Sequence, residues 1–192
     1  MAIATVDQTP PVLDISGQAL QAGVSYYIKP ASTDKGGPFD LLDRAPFLCP
    51  LYVGQEINGS AWPFHFQPFF KGETVVRESR DQQIISSVSA YCWQSISWSI
   101  DKANPENQRK LIVMQKPARG KLPAGKYFRI TRSQLPEVDG NSYILRWCPT
   151  DLCPTCEFTD CGPIGYLNSN GNNRFLALNG SALPVVFERA QQ

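Results

Sequence analysis

Histidine is nearly absent: His65 is the one imidazole in 192 residues. A Ser-His-Asp triad would have to use it. Yet it sits in the proline-bounded run Trp62-Pro63-Phe64-His65-Phe66-Gln67-Pro68, with no nucleophile motif beside it. General-base chemistry therefore has no evident base, a partly exposed loop histidine is the plainer reading, and the chain is read as non-enzymatic. The acidic pairs Asp34 and Asp40, and Asp151 and Glu157, read as solvated loop charges rather than a glycosidase dyad. Excess charge is lacking too. The net charge is +1 and no basic run occurs, which argues against nucleic acid or an anionic membrane as partner. No apolar run approaches the roughly 20 residues needed to span a bilayer. The start, Met1-Ala2-Ile3-Ala4-Thr5-Val6, lacks the basic and apolar regions of a signal peptide, so a signal is expected to have been removed and Met1 not to be the natural start. No segment sustains a helical period and no stretch is of low complexity. No cofactor or metal is expected.

Cysteine is plentiful and patterned. Cys49 and Cys92 stand far apart, while Cys148, Cys153, Cys156 and Cys161 crowd together as Cys-x4-Cys-x2-Cys-x4-Cys. An even count with one histidine reads as a disulfide framework, of which six cysteines allow 15 connectivities. Disulfides persist in oxidising compartments, so a secreted or lumenal protein is expected. Four thiolates can also bind zinc, but structural zinc motifs usually pair two Cys-x2-Cys knuckles, and only Cys153 and Cys156 make one.

The 42% hydrophobic content fits one globular domain, 1–192, with residues 1–10 as a flexible N-terminal tail. Sixteen prolines and fourteen glycines are spread along the chain and punctuate many short elements. Strand-like runs lie at 24–28, 47–53, 83–88, 95–100, 111–114, 126–130, 142–147, 164–167, 174–178 and 183–187. The prolines of 62–68 confine that run to an edge or a loop. Lys35 to Pro38 reads as a turn, and Asn170 to Asn173 as a hairpin signal. About a dozen short strands imply an all-β barrel or sandwich, and three groups of four would suit a β-trefoil. Trp98 belongs to the core; Trp62, Trp93 and Trp147 are left as core or surface. Asn58-Gly59-Ser60 and Asn179-Gly180-Ser181 are N-glycosylation sequons, with an Asn-Gly turn as the alternative reading of each.

Several segments resemble the plant Kunitz-type, or soybean trypsin inhibitor-like, family. The opening Pro11-Val12-Leu13-Asp14-Ile15-Ser16-Gly17-Gln18-Ala19-Leu20, then Gly23-Val24-Ser25-Tyr26-Tyr27-Ile28, is similar to the family's opening. Cys49-Pro50-Leu51, Val76-Arg77-Glu78-Ser79, Trp98 and Tyr127-Phe128-Arg129-Ile130 follow in order. Cys161 to Gly165, Arg174 to Leu178 and Pro184 to Phe187 complete a likeness over about residues 11 to 188. The four-cysteine cluster resembles the miraculin-like branch.

The resemblance implies a β-trefoil and the bridges Cys49–Cys92, Cys148–Cys161 and Cys153–Cys156. It also implies a monomeric, secreted or vacuolar plant-defence protein that blocks a protease with an exposed reactive loop, here Gln67-Pro68-Phe69-Phe70-Lys71-Gly72-Glu73. Such a loop lies in the enzyme's cleft like a substrate, and one side chain fills the specificity pocket. Lys71 suits a trypsin-like pocket bearing a carboxylate, and Phe70 a chymotrypsin-like apolar slot. The plainer readings are packing on the barrel for Phe69 and Phe70 and a solvated turn for Lys71. The family's strong inhibitors brace the loop with an asparagine where this chain has Ala22. Alternatives are inhibition of cysteine or aspartic proteases through another loop, such as Pro149 to Pro163, and a non-inhibitory taste-modifying, storage or chlorophyll-binding role. For the last, Leu48-Cys49-Pro50-Leu51 resembles a pigment-binding segment, with Tyr52 in place of its glycine.

Overall fold

The computed structural model describes residues 8–92, 96–103, 108–116, 123–135, 140–168 and 173–191. Among them, twelve strands join in one barrel-like antiparallel sheet: β1 (Tyr26–Pro30), β2 (Phe39–Leu42), β3 (Tyr52–Glu56), β4 (Pro63–Pro68), β5 (Gln82–Ser86), β6 (Ser97–Ile100), β7 (Ile112–Gln115), β8 (Arg129–Arg132), β9 (Tyr143–Trp147), β10 (Gly162–Asn168), β11 (Asn173–Leu178) and β12 (Val185–Arg189). The described helical pieces are two short 3-10 turns, Thr33–Lys35 and Ala124–Lys126.

Six strands close a ring. β1 pairs with β4 and β12, β4 with β5, and β9 with β8 and β12. The gap between β5 and β8 is closed by Gln82 and Phe128, whose main-chain groups exchange bonds of 3.0 and 2.8 Å. Three hairpins, β2–β3, β6–β7 and β10–β11, cover one end and touch one another through Tyr52↔Val113, Phe175↔Gly54 and Leu111↔Ala177. Phe64 and Phe66 on β4, Ile28 on β1, Ile84 on β5 and Phe187 on β12 alternate inward and are fully buried. Trp98 is the hub: its ring centroid lies 5.3 Å from Phe64, 5.8 Å from Phe128 and 6.2 Å from Phe39.

The opening motif is legible as structure. Asp14, buried, accepts bonds from the main-chain N–H of Ser16 and Gln18 and from the Ser16 hydroxyl, and Gly17 takes φ +79° in the turn this makes. Tyr143 and Tyr26 pin the segment by accepting the N–H of Leu13 and Gln21. Within the expected tail, Thr9 and Pro10 offer carbonyls to Arg77 and Glu78; residues 1–7 lie outside the described set.

Three readings need correction. The run 62–68 is neither edge nor loop: β4 is paired on both sides, because its prolines stand at its first and last positions, where a missing donor is tolerated. The apolar run 47–53 splits: Phe47 to Pro50 is a loop, with Phe47 at φ +59°, and the strand starts at Tyr52. β2 had no alternating signature and went unread. Trp147 is core and Trp62 packs on its rim, while Trp93 and Asn170 to Asn172 fall outside the described residues.

All six sulfurs are bridged, as Cys49–Cys92, Cys148–Cys161 and Cys153–Cys156, so no thiolate is left to bind zinc.

Candidate functional site

β4 delivers the chain to one rim of the ring. Its ladder with β5 ends at Pro68↔Gln82, and the Phe69 N–H extends it by one bond, to the Asp81 carbonyl at 2.9 Å. The Phe69 ring then stands edge-on to Tyr127, with centroids 5.4 Å apart at 88°. Phe70, 41% exposed, contacts Phe69 on one side, and the Arg80 guanidinium carbon lies 4.8 Å from its centroid. The chain reverses at Phe70-Lys71-Gly72-Glu73, where the Glu73 N–H reaches back to the Phe70 carbonyl at 3.4 Å. Gly72 takes φ +88°, as the third position of a type II turn requires. Lys71 and Gly72 are exposed at the tip. The return limb docks on the N-terminal turn: the Ala22 N–H donates to the Thr74 carbonyl at 2.8 Å and Gln21 bridges to Val75. The Gly23 N–H donates to the Phe66 carbonyl on the outgoing limb.

An open groove of about 760 Å³ runs under the loop, walled by Ala22, Gly23, His65, Gln83 and Tyr127. Ala22 contributes only a methyl there. His65 is a half-buried strand residue, not a loop residue, and its Nδ1 lies 3.1 Å from the Ser87 hydroxyl. Burial pushes its imidazole below the ordinary value. Ser87 follows β5 directly, so the contact ties the imidazole to the neighbouring limb of the ring.

The loop's base carries a charge network that sequence reasoning missed. Asp81, fully buried, accepts Arg129 Nε at 2.5 Å and the Leu152 N–H at 2.7 Å. Its own N–H donates to Asp151 Oδ2 at 2.8 Å. Asp151 Oδ1 receives Arg80 Nη1 at 3.2 Å and Arg129 Nη2 at 3.4 Å. Burial pushes the Asp81 carboxyl up, and the Leu152 N–H and Arg129 pull against it. Asp151 is thus no solvated loop charge. Its only sequence signal was its place between Cys148 and Cys153.

The remaining singled-out residues lie elsewhere. Asn58 is exposed in the turn after β3. Asn179 takes φ +56°, and its side-chain oxygen occupies the space where a Cβ on Gly162 would fall. The segment around Leu48 forms a separate loop: Phe47 and Leu48 are exposed, with the Asp43 carboxylate accepting the Phe47 N–H and the Tyr91 hydroxyl.

A family model described as a Kunitz legume-type trypsin and protease inhibitor matches residues 12–189. Kunitz type trypsin inhibitor 106 of Medicago truncatula is 35% identical over 182 residues, covering 93% of this chain and 86% of that protein. Miraculin of Synsepalum dulcificum is 33% identical over 199 residues, covering 97% and 86%. The Kunitz-type cysteine protease inhibitor PCPI-3 from potato shares the fold at a TM-score of 0.79 and 27% identity, covering 96% of this chain and 99% of that one. With its twelve-stranded sheet, three bridges and a family match from Val12 to Arg189, this chain belongs to the Kunitz-type trypsin and protease inhibitor family.

Proposed function

We propose that this protein is a secreted or vacuolar β-trefoil inhibitor that blocks a trypsin-like serine protease with the loop Gln67 to Glu73, Lys71 entering the specificity pocket. The ring of six strands capped by three hairpins supports the trefoil, one four-strand unit running from β1 to β4, the next from β5 to β8 and the third from β9 to β12. The observation that carries the functional reading is the division of labour in the loop. Phe69 packs on Tyr127 and the part-exposed Phe70 lies against Phe69 and Arg80, whereas Lys71 is exposed at the tip of a closed turn. A specificity side chain has to leave its own protein to fill a pocket, and a lysine meets a carboxylate at the bottom of a trypsin-like one. A loop already ordered loses little entropy on binding, which favours inhibition over turnover.

The likeness to the potato cysteine protease inhibitor supports a second reading, inhibition of a papain-like enzyme through another surface, for which the exposed Pro154 to Glu157 is available. Titration of residual activity against trypsin, chymotrypsin and papain separates the two. Stoichiometric loss of trypsin activity alone is expected. Inhibition of papain with trypsin untouched would replace the first reading by the second.

A further inference from the structure

The cysteine-rich segment does more than add bridges: it reaches across about 70 positions of sequence to Asp81, whose carbonyl tethers the reactive loop at Phe69. We propose that the disulfide-closed segment from Cys148 to Cys161 is a buttress for the loop, with Asp151 and Arg80 as positioning residues. The functional part of this rests on the inhibitory reading above; the mechanical part does not.

The loop itself has few tethers. On the outgoing side, past the end of β4, the Phe69 N–H is bonded to the Asp81 carbonyl. The stiffness of the tip therefore depends on how firmly Asp81 is held. Asp81 is gripped on three further sides: Arg129 and the Leu152 N–H bind its carboxylate, and Asp151 accepts its N–H. Two of those three grips come from the cysteine-rich segment. The same Asp151 also orients Arg80, and the guanidinium so oriented lies over Phe70, the residue before Lys71. One carboxylate thus braces the loop twice, once through the main chain of Asp81 and once through the side chain of Arg80.

Asp151 is not placed by a strand. It sits in a turn whose ends are joined by Cys148–Cys161, tightened by Cys153–Cys156 and by bonds from Thr150 N–H to the Cys148 carbonyl and from Cys153 N–H to the Pro149 carbonyl. Two carboxylates and two guanidiniums balance in charge, and Asp81, Asp151 and Arg129 are largely shielded from solvent, so the network is screened less than a surface pair. The spacing Cys-x4-Cys-x2-Cys-x4-Cys then has a mechanical sense: the first gap holds Asp151, which grips both Asp81 and Arg80.

The test compares amide hydrogen exchange at Phe69 to Glu73 in the free protein with inhibition of trypsin, for wild type, Asp151→Ala, Arg80→Lys and the control Asp160→Ala. Asp160 lies on the same segment but pairs with Lys110, which has no part in the Asp81–Asp151 network. Arg80→Lys keeps the charge, loses the flat face over Phe70, and guards against a failure of Asp151→Ala to fold. Loop exchange is expected to quicken about tenfold or more in Asp151→Ala, and less in Arg80→Lys, as for neighbours coupled by about 1.4 kcal/mol. Amides of β6, at the core, and the Asp160→Ala protein should stay at wild-type values. Inhibition should weaken by a similar factor, and trypsin should cut the loop faster. Loop exchange unchanged in both loop-network variants, or raised equally throughout the molecule, overturns the buttress. Quickened loop exchange in a wild-type background that inhibits no protease upholds the buttress and removes the inhibitory reading instead.

Discussion

The Ala22 N–H lies 2.8 Å from the Thr74 carbonyl, so the N-terminal turn holds the return limb of the loop by main chain alone. A methyl at this position reaches nothing across the groove, where the family's strong inhibitors have an asparagine amide. Ala22→Asn would place a donor inside that groove. One added hydrogen bond contributes about 0.5–1.5 kcal/mol, so trypsin inhibition should tighten about two- to tenfold. Inhibition constants measured side by side check this; an unchanged or weaker constant would mean that the main-chain bonds already hold the loop.

Acid should act through His65. Burial lowers its pKa in the folded protein, so the unfolded chain binds the proton more readily. The stability this provides is complete above the ordinary imidazole value of about 6.5 and is lost as pH falls through it towards the lower folded value. Urea midpoints between pH 7.5 and 5 should therefore decline, and His65→Gln should flatten the decline. Asp81 acts with the opposite sign, since its folded pKa is raised by burial. A slope unchanged by the substitution would rule His65 out as its source.

Truncating the hub should expose the cost of the core. Trp98 is fully buried among Phe39, Phe64 and Phe128, so Trp98→Ala leaves a cavity that the strand backbones cannot close. A loss of about 3–5 kcal/mol in denaturant unfolding is expected. A loss under about 1 kcal/mol would mean the three hairpins repack freely.

The two sequons should differ. Both asparagines are exposed, but the Asn179 side-chain oxygen lies against Gly162 and its backbone is left-handed at φ +56°, whereas Asn58 sits in the turn after β3. Expression through a secretory pathway followed by peptide mass spectrometry should find glycan at Asn58 and none at Asn179. The reverse occupancy would contradict this placement.

Local chemistry was legible in the sequence and long-range geometry was not. Alternation in Ser95 to Ile100 announced β6 and its buried Trp98. The prolines of β4 misled, because the rule against proline in paired strands concerns strand interiors and these two stand at the ends. Gln67 to Glu73 was legible as a loop through family likeness, but its type II turn depends on Gly72 taking a positive φ, which the residue permits without requiring. Asp81, Asp151 and Arg80 could not be joined from sequence at all. Their pairing depends on where two disulfides and a ring closure place segments about 70 positions apart.

The most direct test is to incubate the protein with catalytic trypsin at mildly acid pH, where inhibitor loops are slowly cut, and to find the scissile bond by mass spectrometry, with Lys71→Ala alongside. Cleavage confined to Lys71–Gly72, with inhibition lost at least about 30-fold in the variant, is predicted for a side chain that anchors the interface. Cleavage after another residue, or full inhibition by Lys71→Ala, would contradict the account.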